Sequence, residues 1–168
     1  MSKLERIIAH WSVTDYKADE SCKRHYHFIF EGDGTEVLGR LRPEANENIA
    51  DGIYCGHTLN CNQGSIGVAC AAMWAPEGYK QTVDDPGPKP VTKPQFEAMC
   101  RRITQLCKKY NIPVTKKTVL MHGEVQKNLG IKQRGKWDIA VLPYAGLKTI
   151  EECGDYMRKL VSENPAKL

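Results

Sequence analysis

Apolar positions along this chain fall into short runs and two longer periodic stretches, and each kind predicts a different element. The run at residues 5–13 is dominated by Ile7 and Ile8 and reads as a first strand ending near His10 and Trp11. Residues 14–21 are polar and leave room for a turn or one helical turn. In residues 23–30, Tyr26, Phe28 and Phe30 alternate with His25, His27 and Ile29, which predicts a second strand with both faces covered. Glu31-Gly32-Asp33-Gly34 is a turn signal, and residues 35–41 return as the third strand of a hairpin. Residues 42–63 are irregular. The small and branched apolar run at 65–73 predicts a buried central strand, and residues 74–91 form a Pro/Gly-rich loop, either on the substrate side or mobile. Thr118-Val119-Leu120-Met121 is a further short strand. It ends on His122, and a loop rich in Gly, Lys and Gln follows and closes with Lys136-Trp137-Asp138.

Two stretches carry helical spacing instead. Thr92 and Gln95 make a capping box, Pro94 is tolerated in the first turn, and Phe96, Met99, Cys100, Ile103, Leu106, Cys107 and Tyr110 repeat on one face before Asn111-Ile112-Pro113 ends the helix. Thr149 and Glu152 cap a last helix to Glu163 with Ile150, Cys153, Met157, Leu160 and Val161 as its stripe; Pro165 lies beyond its end. Strands interleaved with helices, with no repeat and no linker, predict a single α/β domain over 1–168, a central mixed β-sheet flanked by α-helices.

The composition narrows the partners. The 168 residues suffice for one real core. A net charge of +4 is a mild excess that suits a partly anionic polymer such as a cell wall, and no Lys/Arg run with interleaved aromatics points to nucleic acid. No apolar run reaches membrane-span length, so membrane insertion is not expected. The N-terminus has no signal-peptide core, which predicts a cytoplasmic protein with its seven cysteines reduced. Cys100 and Cys107 fall on an apolar helix face as core residues.

The candidate chemistry lies at strand ends. His10 and His122 occupy matching positions where an apolar strand gives way to a loop, so each can point into a cleft on a fixed backbone. Together with a later carboxylate they can supply three zinc ligands and leave a fourth position for water. Taken alone, each histidine reads as an ordinary residue more readily than as a ligand. His57, between Cys55 and Cys61, has no standard zinc spacing and reads as a groove residue contacting substrate. Glu124 is open between a supporting partner of His122 and an exposed side chain. Trp11, Trp74 and Trp137 line a groove or pack in the core.

Taken in order, Ile7-Ile8-Ala9-His10-Trp11-Ser12, His25-Tyr26-His27-Phe28-Ile29, Asp33-Gly34-Thr35, Gly39-Arg40, His57, Asn62, Ser65-Ile66-Gly67-Val68, the helix from Gln95, His122 and Lys136-Trp137-Asp138 resemble the zinc N-acetylmuramoyl-L-alanine amidases. The same fold is shared by peptidoglycan recognition proteins and amidase-type phage lysozymes. The resemblance implies one zinc on His10, His122 and Asp138, cleavage of the amide between N-acetylmuramic acid and L-alanine, Lys136 and Tyr26 as catalytic groups, and His57 and Asn62 against substrate. Two departures stand out: residues 14–22 are too short for the full helix of many members, and the interval from His122 to Asp138 is long. Cys153 and Asp155 are the fallback for the third ligand. If Lys136 and Asp138 share an extended segment, they face the same way, and the ammonium can stabilise an oxyanion. The reading is a monomeric peptidoglycan or muropeptide hydrolase, a phage or prophage endolysin held in the cytoplasm until release. Its rivals are a recycling amidase for soluble anhydro-muropeptides, a non-cutting binding module of the same fold, and, last, a thiol protein.

Overall fold

The computed structural model describes residues 3–163 of the chain. In chain order it contains β1 (Arg6–Trp11), α1 (Glu20–His25), β2 (Phe28–Phe30), β3 (Glu36–Leu38), β4 (Ser65–Cys70), α2 (Lys93–Tyr110), β5 (Val119–Met121), α3 (Val125–Leu129) and α4 (Ile150–Glu163), with short 3₁₀ turns at Pro43–Asn46, His122–Glu124 and Pro143–Ala145. The sheet order is β3-β2-β4-β1-β5. β1 is parallel to both β4 and β5, β2 is parallel to β4, and β3 closes the hairpin antiparallel to β2. This is the expected mixed sheet flanked by helices.

Because strand side chains alternate, β1 serves two cores. Ile7, Ala9 and Trp11 join Ile66, Val68, Val119 and Met121 beneath α2 and α4. Ile8 turns to the other face, against Cys61, Leu120 and Val125 of α3, and His10 shares that face by the same alternation. α2 buries Phe96, Met99, Cys100 and Ile103 completely, each contributing about 1.5–3 kcal/mol of apolar burial for the larger side chains. Its start is the expected capping box: Gln95 N–H donates to Thr92 Oγ1 at 3.3 Å, and Thr92 N–H donates to Gln95 Oε1 at 2.9 Å. Asn111 ends it in the left-handed conformation. α4 begins the same way, with Glu152 N–H on Thr149 Oγ1 at 3.1 Å; Pro165 lies outside the described residues.

The structure differs from the sequence reading at residues 23–25, which complete the helix Glu20–His25 rather than start a strand. Asp19 Oδ1 accepts from Cys22 N–H at 2.8 Å, Glu20 sits at the positive end, and Lys23, Arg24 and His25 lie at the negative end. These end effects outweigh the alternation around Tyr26, so β2 starts only at Phe28. The loop 74–91 is held by Met73 N–H on Lys89 O at 2.6 Å and by Gln81 Nε2 on Pro86 O at 2.8 Å. None of its residues lines the cleft described below, and Trp74 is exposed on it. All seven cysteines are free thiols; six are buried, and Cys107 is half-buried. Among the described residues no helix is long and apolar enough to cross a membrane.

Candidate metal centre

The parallel pairing of β1 with β5 builds the site. Ala9 lies opposite Met121, so continuing the register sets His10 beside His122 at the carboxyl edge of the sheet, where open α/β sheets place their ligands. The 3₁₀ turn that starts at His122 swings its ring inward. Gly123 N–H then donates to the Asp138 carbonyl at 2.7 Å, which brings the end of the long loop back to the same point. His10, His122 and Asp138 are all buried, and among the described residues they are the cluster able to hold a metal ion. Cys153 belongs to the core under α4, and Asp155 pairs with Arg158 at 2.9 Å, so neither fallback ligand reaches the site. Cys55 and Cys61 do not join His57 in any such cluster.

Hydrogen bonds behind the histidines assign their protons. The Ser65 carbonyl can only accept, so His57 Nε2, 3.2 Å away, carries the hydrogen and His57 Nδ1 is an acceptor. His10 Nε2 lies 3.1 Å from that acceptor and 3.5 Å from Thr58 Oγ1, which is itself 2.8 Å from His57 Nδ1; a hydrogen on His10 Nε2 serves this cluster of acceptors and leaves His10 Nδ1 a lone pair. On the other side, Gln133 Nε2 donates to the Leu59 carbonyl at 2.8 Å, which turns Gln133 Oε1 to His122 Nε2 at 3.0 Å. His122 Nε2 is thus the donor, and His122 Nδ1 is also bare.

Three acceptors consequently converge. The two Nδ1 atoms are 3.1 Å apart, and Asp138 Oδ2 lies 3.3 Å from one and 3.5 Å from the other. No hydrogen is left to bridge the two nitrogens, so they repel unless a cation lies among them. A tetrahedral set with bonds of 2.0–2.1 Å has edges of about 3.3 Å, so the donors fit zinc in both type and separation. Burial pushes His10 down to about 4 against the upward pull of the Asp138 carboxylate, so it is neutral at pH 7.

The cluster opens onto a cleft of about 590 Å³ whose walls include Tyr26, His57, Asn62, Arg134, Lys136 and Trp137. The Tyr26 ring lies 5.1 Å from the His10 ring, and burial, then Asp138, push its phenol up, so it stays a donor rather than becoming a phenolate base. Lys136 is exposed on the wall, in an irregular segment rather than an extended one. His57 is 8% exposed, with both ring nitrogens engaged inside the protein. It fits against β4 because residue 67 is glycine: a Cβ there would come within 2.6 Å of the His57 ring. Asn62 Oδ1 accepts from His57 N–H and Thr58 N–H, both at 2.9 Å, shaping this wall. Trp11 and Trp137 pack edge to face at 4.8 Å on the cleft's flank. His25 lines the rim, while His27 is structural, bonded to Asn46 Oδ1 and Gly67 N–H.

Two contributors were invisible in the sequence, and a third, Glu124, supports the site through other contacts than the one considered. Gln133 gave no signal beyond being the one uncharged polar residue between Lys132 and Arg134. α3 is a short helix inside a Gly/Lys/Gln-rich stretch. Glu124 is neither exposed nor in contact with His122. It is buried, makes a bidentate pair with Arg158 at 2.9 and 3.0 Å, and accepts from Met121 N–H at 2.9 Å, fixing the turn from which His122 projects.

Two imidazoles and one carboxylate facing a cleft are a donor set of the kind that catalytic metal sites use, three protein ligands with a position left open, whereas structural sites close all four. The chain belongs to the N-acetylmuramoyl-L-alanine amidase family, whose sequence model matches residues 1–139. Among solved structures it is similar to the E. coli N-acetylmuramyl-L-alanine amidase AmiD in complex with anhydro-N-acetylmuramic acid-L-Ala-D-gamma-Glu-L-Lys. That likeness has 18% identity and a TM-score of 0.50, and covers 82% of this chain and 53% of that one. The amidase LysC from Clostridium intestinale is 17% identical with a TM-score of 0.47, covering 78% and 88%. Drosophila peptidoglycan recognition protein SD is 16% identical with a TM-score of 0.48, covering 74% and 72%. No curated protein matches the chain by sequence.

Proposed function

We propose that the whole chain is one catalytic domain, a zinc-dependent amidase that cleaves the bond between N-acetylmuramic acid and the L-alanine of the stem peptide in peptidoglycan. The observation that carries this is the convergence of His10 Nδ1, His122 Nδ1 and Asp138 Oδ2 as three unprotonated acceptors at the floor of a cleft. These three residues would hold the ion. Zinc there supplies a Lewis acid that polarises a carbonyl and acidifies water.

The remaining steps belong to the chain's own side chains. Lys136 offers a positive charge from the wall to the oxygen of the scissile carbonyl as it becomes an oxyanion. Tyr26, kept protonated, donates a hydrogen bond on the His10 side of the site. His57 holds His10, and the wall it forms with Asn62 contacts the glycan-peptide. Arg134 and Lys136 line the cleft, where Asp138 is the one carboxylate among the described lining. With the net charge of +4, these two cations favour an anionic substrate, and they favour the many charges of a wall polymer over the few of a soluble fragment. That supports a lytic enzyme acting on intact wall, of the phage endolysin type, over a recycling amidase for soluble anhydro-muropeptides. A complete donor set supports catalysis over binding alone.

The test is metal content together with wall hydrolysis. The purified protein is expected to hold one zinc, to release new alanine amino groups from sacculi, to stop on chelation and to recover with zinc. Asp138→Ala should lose most of the metal, and Asp155→Ala should keep it. Unchanged stoichiometry in Asp138→Ala would overturn the ligand assignment; faster turnover of soluble anhydro-muropeptide than of sacculi would favour the recycling role.

A further inference from the structure

Residues 132–136, between α3 and Asp138, are basic and exposed except at one position. Lys132, Arg134, Gly135 and Lys136 face solvent, while Gln133 is turned inward and is 7% exposed. Its backbone N–H and both ends of its carboxamide are used. Its backbone N–H donates to Gln126 Oε1 of α3 at 2.9 Å, its side-chain nitrogen donates to the Leu59 carbonyl at 2.8 Å, and its side-chain oxygen faces His122 Nε2 at 3.0 Å. A carboxamide flips freely in solution, but here only one orientation satisfies both neighbours. The Leu59 carbonyl cannot donate, so the nitrogen must point to it and the oxygen must point to His122.

We infer that Gln133 is a positioning residue for the metal centre. Its oxygen holds the His122 proton on Nε2, so that Nδ1 presents its lone pair beside His10 and Asp138. Its nitrogen ties that ligand to the loop carrying His57, which holds the other histidine. The long interval between His122 and Asp138 thereby acquires a role, because it carries the group that orients His122. The inference rests on the metal-site reading above. Groups that orient metal-bound histidines are commonly carboxylates. An uncharged acceptor here leaves Asp138 as the sole anion against a divalent ion, so the centre keeps a net positive charge to offer an oxyanion.

Two substitutions separate orientation from simple loop tethering. Gln133→Glu keeps an acceptor for His122 Nε2–H and loses the donor to Leu59. Gln133→Leu keeps the volume and loses both. Two measurements are made on each full-length protein. One is the tautomer of His122 in the metal-free state, from long-range ¹H–¹⁵N spectra of the imidazoles. The other is zinc affinity by competition with a chromophoric chelator. The wild type and Gln133→Glu should show the Nε2–H tautomer and affinities within a few-fold of each other. Gln133→Leu should show a mixture of tautomers and lose roughly 10–100-fold in affinity. Wild-type tautomer and affinity in Gln133→Leu would overturn the inference. Equal losses of affinity in both variants, with the tautomer unchanged, would also overturn it and reduce Gln133 to a loop tether. A wild-type protein that binds no zinc, yet whose Nε2–H tautomer is lost in Gln133→Leu, would support the orienting role and sink the zinc reading instead.

Discussion

Lys136 stands two residues from a buried carboxylate and is itself exposed on the cleft wall, so its charge costs little to keep and faces whatever enters. If it acts on charge that appears only in the transition state, Lys136→Ala should keep zinc and keep affinity for a soluble muropeptide while kcat falls roughly a hundredfold. Lys136→Arg should rescue only part of this, because a planar guanidinium places its donors differently. A lysine that merely attracts the wall would instead raise KM on sacculi in a salt-dependent way and leave kcat on the soluble substrate near normal, an outcome that would remove it from catalysis. At this scale the sequence showed the three clustered acceptors better than their supports. His10 and His122 were legible because each follows an apolar strand, and Asp138 through the ordered resemblance. Gln133 was not, since nothing local distinguishes a glutamine that turns inward from one in solvent. The pairing of Glu124 with Arg158 spans 34 residues and leaves no local trace either.

Among the elements, those with strong periodicity and paired caps were read correctly from sequence. α2 and α4 carry Thr92/Gln95 and Thr149/Glu152, which bond as their spacing implies. Short elements were misread or missed. α1 is set by an Asp19 cap and end charges that compete with an aromatic alternation, and α3 has only five residues. α4 also shows how packing can reverse a propensity. Gly154 lies in its interior, where Gly→Ala ordinarily stabilises a helix by about 1 kcal/mol. Here a Cβ would come within 2.4 Å of Glu124 Oε1, and Arg158 pins that carboxylate in place. Gly154→Ala is therefore expected to destabilise the protein by about 1–3 kcal/mol, as overpacking does. The midpoint of urea unfolding checks this; an increase would mean that the Glu124–Arg158 pair yields freely and does not fix the His122 turn.

Over the whole molecule, the mixed sheet and its flanking helices were legible because buried strands and amphipathic helices alternate along the chain. The covering of the second sheet face was not, because irregular chain supplies much of it. That face gives the molecule an acid sensitivity. His27 accepts from Gly67 N–H at 3.0 Å and donates to Asn46 Oδ1 at 3.0 Å, so neither nitrogen has room for a further proton. Burial pushes it down from 6.5 to about 4. Between those values the unfolded chain takes up a proton that the folded chain refuses. Stability is therefore full above the unfolded value and falls as pH drops through this window, by up to about 1.4 kcal/mol per pH unit for this one group. Urea unfolding of the chelated protein at pH 7, 6 and 5 should show the decline, to which the buried His10 and His57 also contribute, and His27→Gln should make it shallower by the share of one group; an equal slope in that variant would assign the sensitivity to the other two. The donors of the metal centre lie far apart in the chain, at residues 10, 122 and 138, and meet only once β1 has paired with β5. An ion therefore finds no ready site on a partly folded chain. A metal held there would gain its grip only after the slow, long-range steps are over, and would hold the finished protein shut by slowing unfolding without hastening folding.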